Sequence, residues 1–262
     1  MALKSISSKE NPLFKQLKAL ANDNTAYRRS RQVWLEGEHL CQAALDNGLR
    51  LTQMVLLDSV QADCLALWAA RCDTVLQLSA SLMSALSSLP SPSWIGAVVE
   101  LPQTHALNSQ ASVVVLDQVQ DPGNAGAILR CAAAFGFKQV STTPGSVALW
   151  SAKVVRSAMG AHFGLQLNES MDVADILKLN TPVLLTDVHQ GTYLHELMAE
   201  KKLPWPCIWV FGHEGQGVSL NWPDDKVQRV RIAQPGGQES LNVAAAAAIC
   251  LHASACQRVE KC

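Results

Sequence analysis

Charged side chains are scarce in this chain, and the signatures of several protein classes are missing. Charged residues make up 16% of its 262 positions and hydrophobic ones 48%, which supplies a sizeable core and argues against disorder. No apolar run reaches the length of a membrane span, and MALKSISSKENP has no signal-peptide core. The expectation is a soluble, cytoplasmic protein with no membrane partner. Eight cysteines contain no CxxC pair and seven histidines no HExxH. The cysteines therefore read as small, free core residues, and no metal site is expected. GxxxxGK[ST] is absent, and the glycines of FGHEGQG do not follow the first strand as a dinucleotide fingerprint requires. Gln238-Glu239-Ser240 is no nucleophile elbow, which leaves a serine hydrolase unsupported. There is no internal repeat.

The net charge of −1 rules out a uniformly basic nucleic-acid binder, but the distribution is uneven. Residues 1–31 carry Lys4, Lys9, Lys15, Lys18, Arg28, Arg29 and Arg31 against only Glu10 and Asp23. Such a segment can contact phosphates, with Lys15, Lys18, Arg28, Arg29 and Arg31 as candidates, or it can be an ordinary solvated helix face.

The first hundred residues alternate. Helices are expected at Pro12–Asn22, Glu38–Asn47, Ala62–Arg71 and Ser79–Ser87. Strands are expected at Gln32–Glu36, Thr52–Leu57, Thr74–Leu78 and Trp94–Glu100. This is a small α/β unit, and LPQTHALNSQA, residues 101–111, is the best linker. The alternation then restarts, with strands at 113–117, 138–142, 183–187, 207–212 and 227–232. Helices fall at 124–136, 150–160, 173–179 and 240–257. Strands separated by helices imply a parallel sheet, with ligands at the carboxyl ends of its strands.

The second part is organised around VVVLDQVQDPGNAGAILRCAAAFGF, residues 113–137: a buried strand, a turn and a helix apolar nearly all round. Arg130 is the one formal charge between residues 122 and 137. In a buried helix it must either be paired or face a polar ligand, and the residues alone leave both open. Two later strand ends carry FGHEGQG, whose glycines permit a tight path around Glu214, and IAQPGGQESLN. There Ser240 and Asn242 stand at the start of the last helix, as caps or as functional groups.

Together, PGNAGAILRCAAAFG, FGHEGQGVS and IAQPGGQESLNVAAA resemble, in order and spacing, the three motifs of the SpoU (TrmH-like) family of RNA ribose 2′-O-methyltransferases in the SPOUT superfamily. KVVRSAMGA is similar to that family's segment between motifs one and two. SKENPLFKQLKAL and WLEGEHLCQAAL are similar to its appended domain, an α/β unit related to RNA-binding ribosomal proteins. The resemblance implies a substrate-binding domain over residues 1–104 and a trefoil-knotted α/β methyltransferase domain with a parallel sheet over 105–262. It further implies S-adenosylmethionine as cofactor, a homodimer, and transfer of a methyl group to a ribose 2′-hydroxyl of structured RNA, ribosomal rather than transfer RNA. Carried over, Gly212, Ile232 and Leu241 would contact the cofactor, while Asn124, Arg130, Glu214, Ser240 and Asn242 match the polar active-site positions.

Two positions depart from the motifs: His213 stands where Asn is usual, and Gln234 where Met is usual. His213 can donate one hydrogen bond, as Asn does, but it is larger and can titrate. The rival readings are a transfer-RNA methyltransferase, a catalytically silent RNA-binding assembly factor of the same fold, and a small-molecule nucleotide enzyme.

Overall fold

The computed structural model describes residues 2–219, 221–236 and 240–259, Val259 by its backbone alone. The chain divides into two compact units, one of residues 1–103 with 150–163, the other of 104–149 with 164–262.

The first unit begins with an edge strand β1 (Ala2–Ile6) and helix α1 (Pro12–Asn22). Asn11 caps α1 by accepting the Leu13 amide at 2.9 Å, and Pro12 needs no partner at the first helical position. The buried face of α1 carries Phe14, Leu17 and Leu20. After a short α2 (Ala26–Ser30) the chain runs β2 (Gln32–Glu36), α3 (Glu38–Asp46), β3 (Leu51–Leu57) and α4 (Ala62–Ala69). It closes with β4 (Cys72–Leu78), α5 (Ala80–Leu86) and β5 (Ile95–Glu100). The strands form one mixed sheet in the order β1-β4-β3-β5-β2, with β5 antiparallel to both neighbours. Every element expected here is present. β1 and α2 were not expected, because β1 is largely exposed and lacks an apolar run, and α2 is barely a turn long.

The second unit opens with β6 (Val113–Asp117), α6 (Pro122–Ala134) and β7 (Gln139–Thr142). Next comes α7 (Ala152–Ser157), whose residues pack in the first unit, against α1 and β2, and not in the second, where sequence order would count them. Arg156 there pairs with Glu36 at 3.6 Å. The second unit resumes with β8 (Gln166–Asn168), α8 (Val173–Leu177), β9 (Val183–Thr186), β10 (Thr192–Tyr193) and α9 (Leu194–Ala199). It ends with β11 (Ile208–Gly212), β12 (Val227–Arg231) and α10 (Val243–Val259). All pairings in the sheet β10-β12-β9-β11-β6-β7-β8 are parallel. β6 and β11 lie side by side at its centre, buried at every residue. That burial is why both read as unbroken apolar runs in the sequence.

Helix α10 is anchored by polar groups in a dry setting. Trp209 of β11 donates its indole N–H to Ser254 at 2.9 Å, and the Leu203 amide donates to Gln257 at 3.0 Å. It also packs along α6. The expectation that α6 is buried all round needs correction. Ala134 and Arg130 are exposed and Ala127 half-buried, so a stripe of the helix faces outward. No helix among the described residues is long and apolar enough to cross a membrane.

Candidate active site

The three motif loops meet at the carboxyl ends of β6, β11 and β12. The first begins α6. Its cap is Asp121, which accepts the Asn124 amide at 2.7 Å, rather than Asn124 itself. Asn124, relieved of capping, directs its side-chain amide elsewhere.

That amide joins the other two loops. The Asn124 Nδ2 donates to Glu214 Oε1 at 3.0 Å, and the Asn124 Oδ1 accepts from Asn242 Nδ2 at 2.9 Å. Glu214 also accepts the Asp121 amide at 3.2 Å and the Gln120 amide at 3.4 Å. Burial pushes the Glu214 carboxyl upward, but hydrogen bonds from Asn124 and from the loop amides outweigh it and hold its pKa below the usual value. Asn242 serves twice. Its Oδ1 caps α10 by accepting the Ala244 and Ala245 amides at 2.9 and 3.2 Å, while its Nδ2 reaches Asn124. The choice between cap and functional group was never exclusive at this position.

The second loop, 213–217, turns tightly back. His213 and Gly217 exchange backbone hydrogen bonds at 2.9 Å in both directions. A Cβ on Gly212 would collide with the backbone of Gly217 and Val218, and Gly217 has a φ of 71°. The His213 ring adds a role to the donor capacity read from the sequence: its Nδ1 accepts from the Gly215 and Gln216 amides, at 2.9 and 3.2 Å. Beyond the loop, the buried Asp117 carboxylate takes the Ser219 amide at 2.7 Å, the Trp222 indole at 3.2 Å and the Thr143 hydroxyl at 2.7 Å. These bonds pin the loop's exit to the end of β6.

Beside the loops lies a cavity of about 540 Å³, in the size range of sites for drug-sized ligands. Gly212, Ile232 and Leu241 all line it, together with Glu214, Ser240, His213 and Gln234. Leu185, Val188, Val218 and Val230 add apolar wall, and Asp187 and Arg229 add charge. Arg229 donates to Asp187 at 2.7 Å and to Asp224 at 2.7 Å. Burial raises the Asp187 carboxyl, and the His189 and Gln190 amides with Arg229 more than offset this, so its pKa lies below the ordinary range. Leu185 to His189 were missed from the sequence. They carry no glycine or proline signal, and they reach the cavity only because β9 lies beside β11 in the sheet.

Arg130 stands apart from the cavity lining. It is exposed on α6 and makes no hydrogen bond or salt bridge among the described residues. Of the two readings left open, the structural salt bridge finds no partner there. The Ser240 hydroxyl makes no hydrogen bond among the described residues, and Gln238 and Glu239 lie outside them. In the basic N-terminal segment, Lys15 pairs with Glu10 and Arg29 with Asp23, at 2.5 and 2.9 Å. Arg28 lies over the Tyr27 ring, Lys18 is exposed, and Arg31 adopts a φ of 56°. Nowhere among the described residues are three or more His, Cys, Asp or Glu gathered as a metal site.

A parallel α/β sheet whose strand ends gather a glycine loop, a hydrogen-bonded polar chain and a cavity is the arrangement of a small-ligand site in α/β proteins. Comparison with known proteins narrows the class. Residues 111–252 match the model of the SpoU rRNA Methylase family, and the chain belongs to that family. It is 32% identical to a Synechocystis protein described as an uncharacterized tRNA/rRNA methyltransferase, over 95% of this chain and 92% of that one. It is 28% identical to the 23S rRNA (guanosine(2553)-2′-O)-methyltransferase of Bacillus subtilis, over 95% of this chain and 98% of the other. Among solved structures, the SpoU methyltransferase AviRb from Streptomyces viridochromogenes shares the fold with a TM-score of 0.83 at 22% identity. That match covers 95% of this chain and 99% of AviRb.

Proposed function

We propose that this protein transfers a methyl group from S-adenosylmethionine to a ribose 2′-hydroxyl of ribosomal RNA. The observation that carries the reading is the Glu214–Asn124–Asn242 chain, which ties all three motifs together beside the cavity. The cavity suits the cofactor in size, in its apolar walls and in its strand-end position. Gly212, Ile232 and Leu241 would hold it. When bound, it supplies an electrophilic methyl on a sulfonium.

The chain's own residues then have two tasks. Glu214, Asn124 and Asn242 hold the loops in register, and Ser240 offers its hydroxyl at the cavity wall to orient the attacking oxygen. Arg130 supplies positive charge to the substrate phosphate and favours alkoxide character on the 2′-oxygen. Guanidinium stays protonated, so the hydroxyl proton passes to water or to a phosphate oxygen as the 2′-oxygen takes the methyl; the methyl–sulfur bond would break and leave a neutral thioether.

In this reading residues 1–104 form an RNA-binding domain using Lys15, Lys18, Arg28, Arg29 and Arg31. The C-terminal chain threads the family's knot, and the protein acts in the cytoplasm as a homodimer. The outward stripes of α6 and α10 support a dimer, because Ile249, 41% exposed, stands there with Ala134 and Ala245 also open. Ile249→Glu is expected to give a monomer in sedimentation; an unchanged mass would remove that face from the interface.

The activity test supplies methyl-labelled S-adenosylmethionine and unmodified ribosomal RNA. A 2′-O-methyl blocks alkaline cleavage at its own linkage, so label is expected in alkali-stable dinucleotides. Label confined to mononucleotides would mean base methylation, and none at all would favour a silent binder.

A further inference from the structure

The loop after β11 is built around a side chain whose protonation state it dictates. His213 lines the cavity, and its Nδ1 accepts two backbone N–H groups, from Gly215 and Gln216. An accepting ring nitrogen carries a lone pair, so the ring is neutral with its hydrogen on Nε2. A proton on Nδ1 would face two donors with no acceptor between them, and both bonds would be lost.

We propose that His213 is a positioning residue: its neutral ring folds loop 213–217 into the form that binds S-adenosylmethionine, and protonation opens the loop and releases the cofactor. The proposal rests on the assignment of the cavity to that cofactor. It extends to the chemistry because the same loop carries Glu214, whose bond to Asn124 joins the motifs. An opened loop therefore loses cofactor affinity and the polar chain together.

Other ionisable groups line the cavity and are accounted for. Asp187 and His189 follow β9, Arg229 comes from β12, and Glu214 belongs to the loop itself. Asp187 is engaged by Arg229 and by two backbone amides, and Glu214 by Asn124 and two others. Neither carboxylate forms an ion pair with the His213 ring, and among the described residues no salt bridge compensates the proton. Described residues of the third loop, Ser240, Leu241 and Val243, bring no charge to the cavity.

Calorimetric titration of the full chain with S-adenosylmethionine between pH 8 and 5.5 tests this. Wild-type affinity is expected to be lost progressively as pH is lowered, because uptake of one proton is linked to release. His213→Ala removes the acceptor and is expected to bind about tenfold more weakly even at pH 7.5. His213→Asn supplies an amide oxygen for the same two N–H groups without titrating. It should recover most of what the alanine variant loses and show a flat pH profile. A flat wild-type profile, or an acid loss that persists in His213→Asn, would overturn the proposal and move the proton to His189 or a carboxylate. Nitrogen NMR of the wild-type imidazole gives a second reading, free of the cofactor: the Nε2–H tautomer is expected, and an Nδ1–H tautomer overturns the proposal. Should no variant bind the cofactor at any pH, the cavity assignment fails, and the tautomer still decides the role of His213 in the loop.

Discussion

The two polar residues of α6 have opposite situations. Asn124, in the first turn, is hydrogen-bonded on both sides of its amide, to Glu214 and to Asn242. Arg130, six residues on, is exposed and without a hydrogen bond or salt bridge among the described residues. At about 100° per residue the two point some 120° apart around the helix, and about 9 Å separates them along it. One residue is spent on architecture before any ligand arrives; the other, among the described residues, keeps its bonding capacity. In the proposed reading, the group that shapes the site is therefore a different one from the group that meets the substrate.

The comparison predicts different failures. Arg130→Ala is expected to lower methyl transfer by about a hundredfold or more, as removal of a charge-stabilising donor does. Its unfolding midpoint should stay put, since exposed and unpaired side chains contribute within about 0.5 kcal/mol. A lowered melting temperature with activity intact would reverse the contrast. Asn124→Ala is expected to cost less in rate, roughly tenfold, through lost loop registration. It should also lower stability by about 1–2 kcal/mol in urea titration, because two hydrogen bonds are lost and Glu214 is left with amides only. Equal unfolding midpoints for this variant and the wild type would take Asn124 out of the architecture.

The smallest effect concerns Glu214 and depends on pH. Its carboxyl titrates below the ordinary range, so the folded state favours the ionised form. The resulting stability is present above about pH 4.3, the unperturbed value, and is lost as pH falls through the lowered folded value. Glu214→Gln should therefore be less stable than wild type at pH 7, by under about 1 kcal/mol because water screens an exposed carboxylate. The gap should close in acid. A gap of constant size from pH 7 to 3 would show that charge has no part in holding Asn124.

Much of this was legible in the sequence for identifiable reasons. β6 and β11 are buried on both faces, and their unbroken apolar runs announce it. The glycines of the second loop were legible because Gly212 has no room for a side chain. The exposure of α6 was not, since alanine counts as apolar in any pattern yet costs little when left in water. Nor was the acceptor role of His213, which exists only once residues 213–217 have closed on themselves. Asp187 and Val188 became cavity residues through a strand order that differs from the chain order, which local pattern cannot supply.

Residues 150–163 carry a consequence for how the protein can be taken apart. The chain passes from one compact unit to the other three times, so no single cut divides it into the two. A chain beginning at residue 104 would keep α7 and lose α1 and β2, against which it packs. Val154 and Val155, both buried, would then meet water at about 1.5–3 kcal/mol each. The modules of this enzyme are interleaved rather than strung in series, and separating them requires bridging 149 to 164 as well as trimming the front.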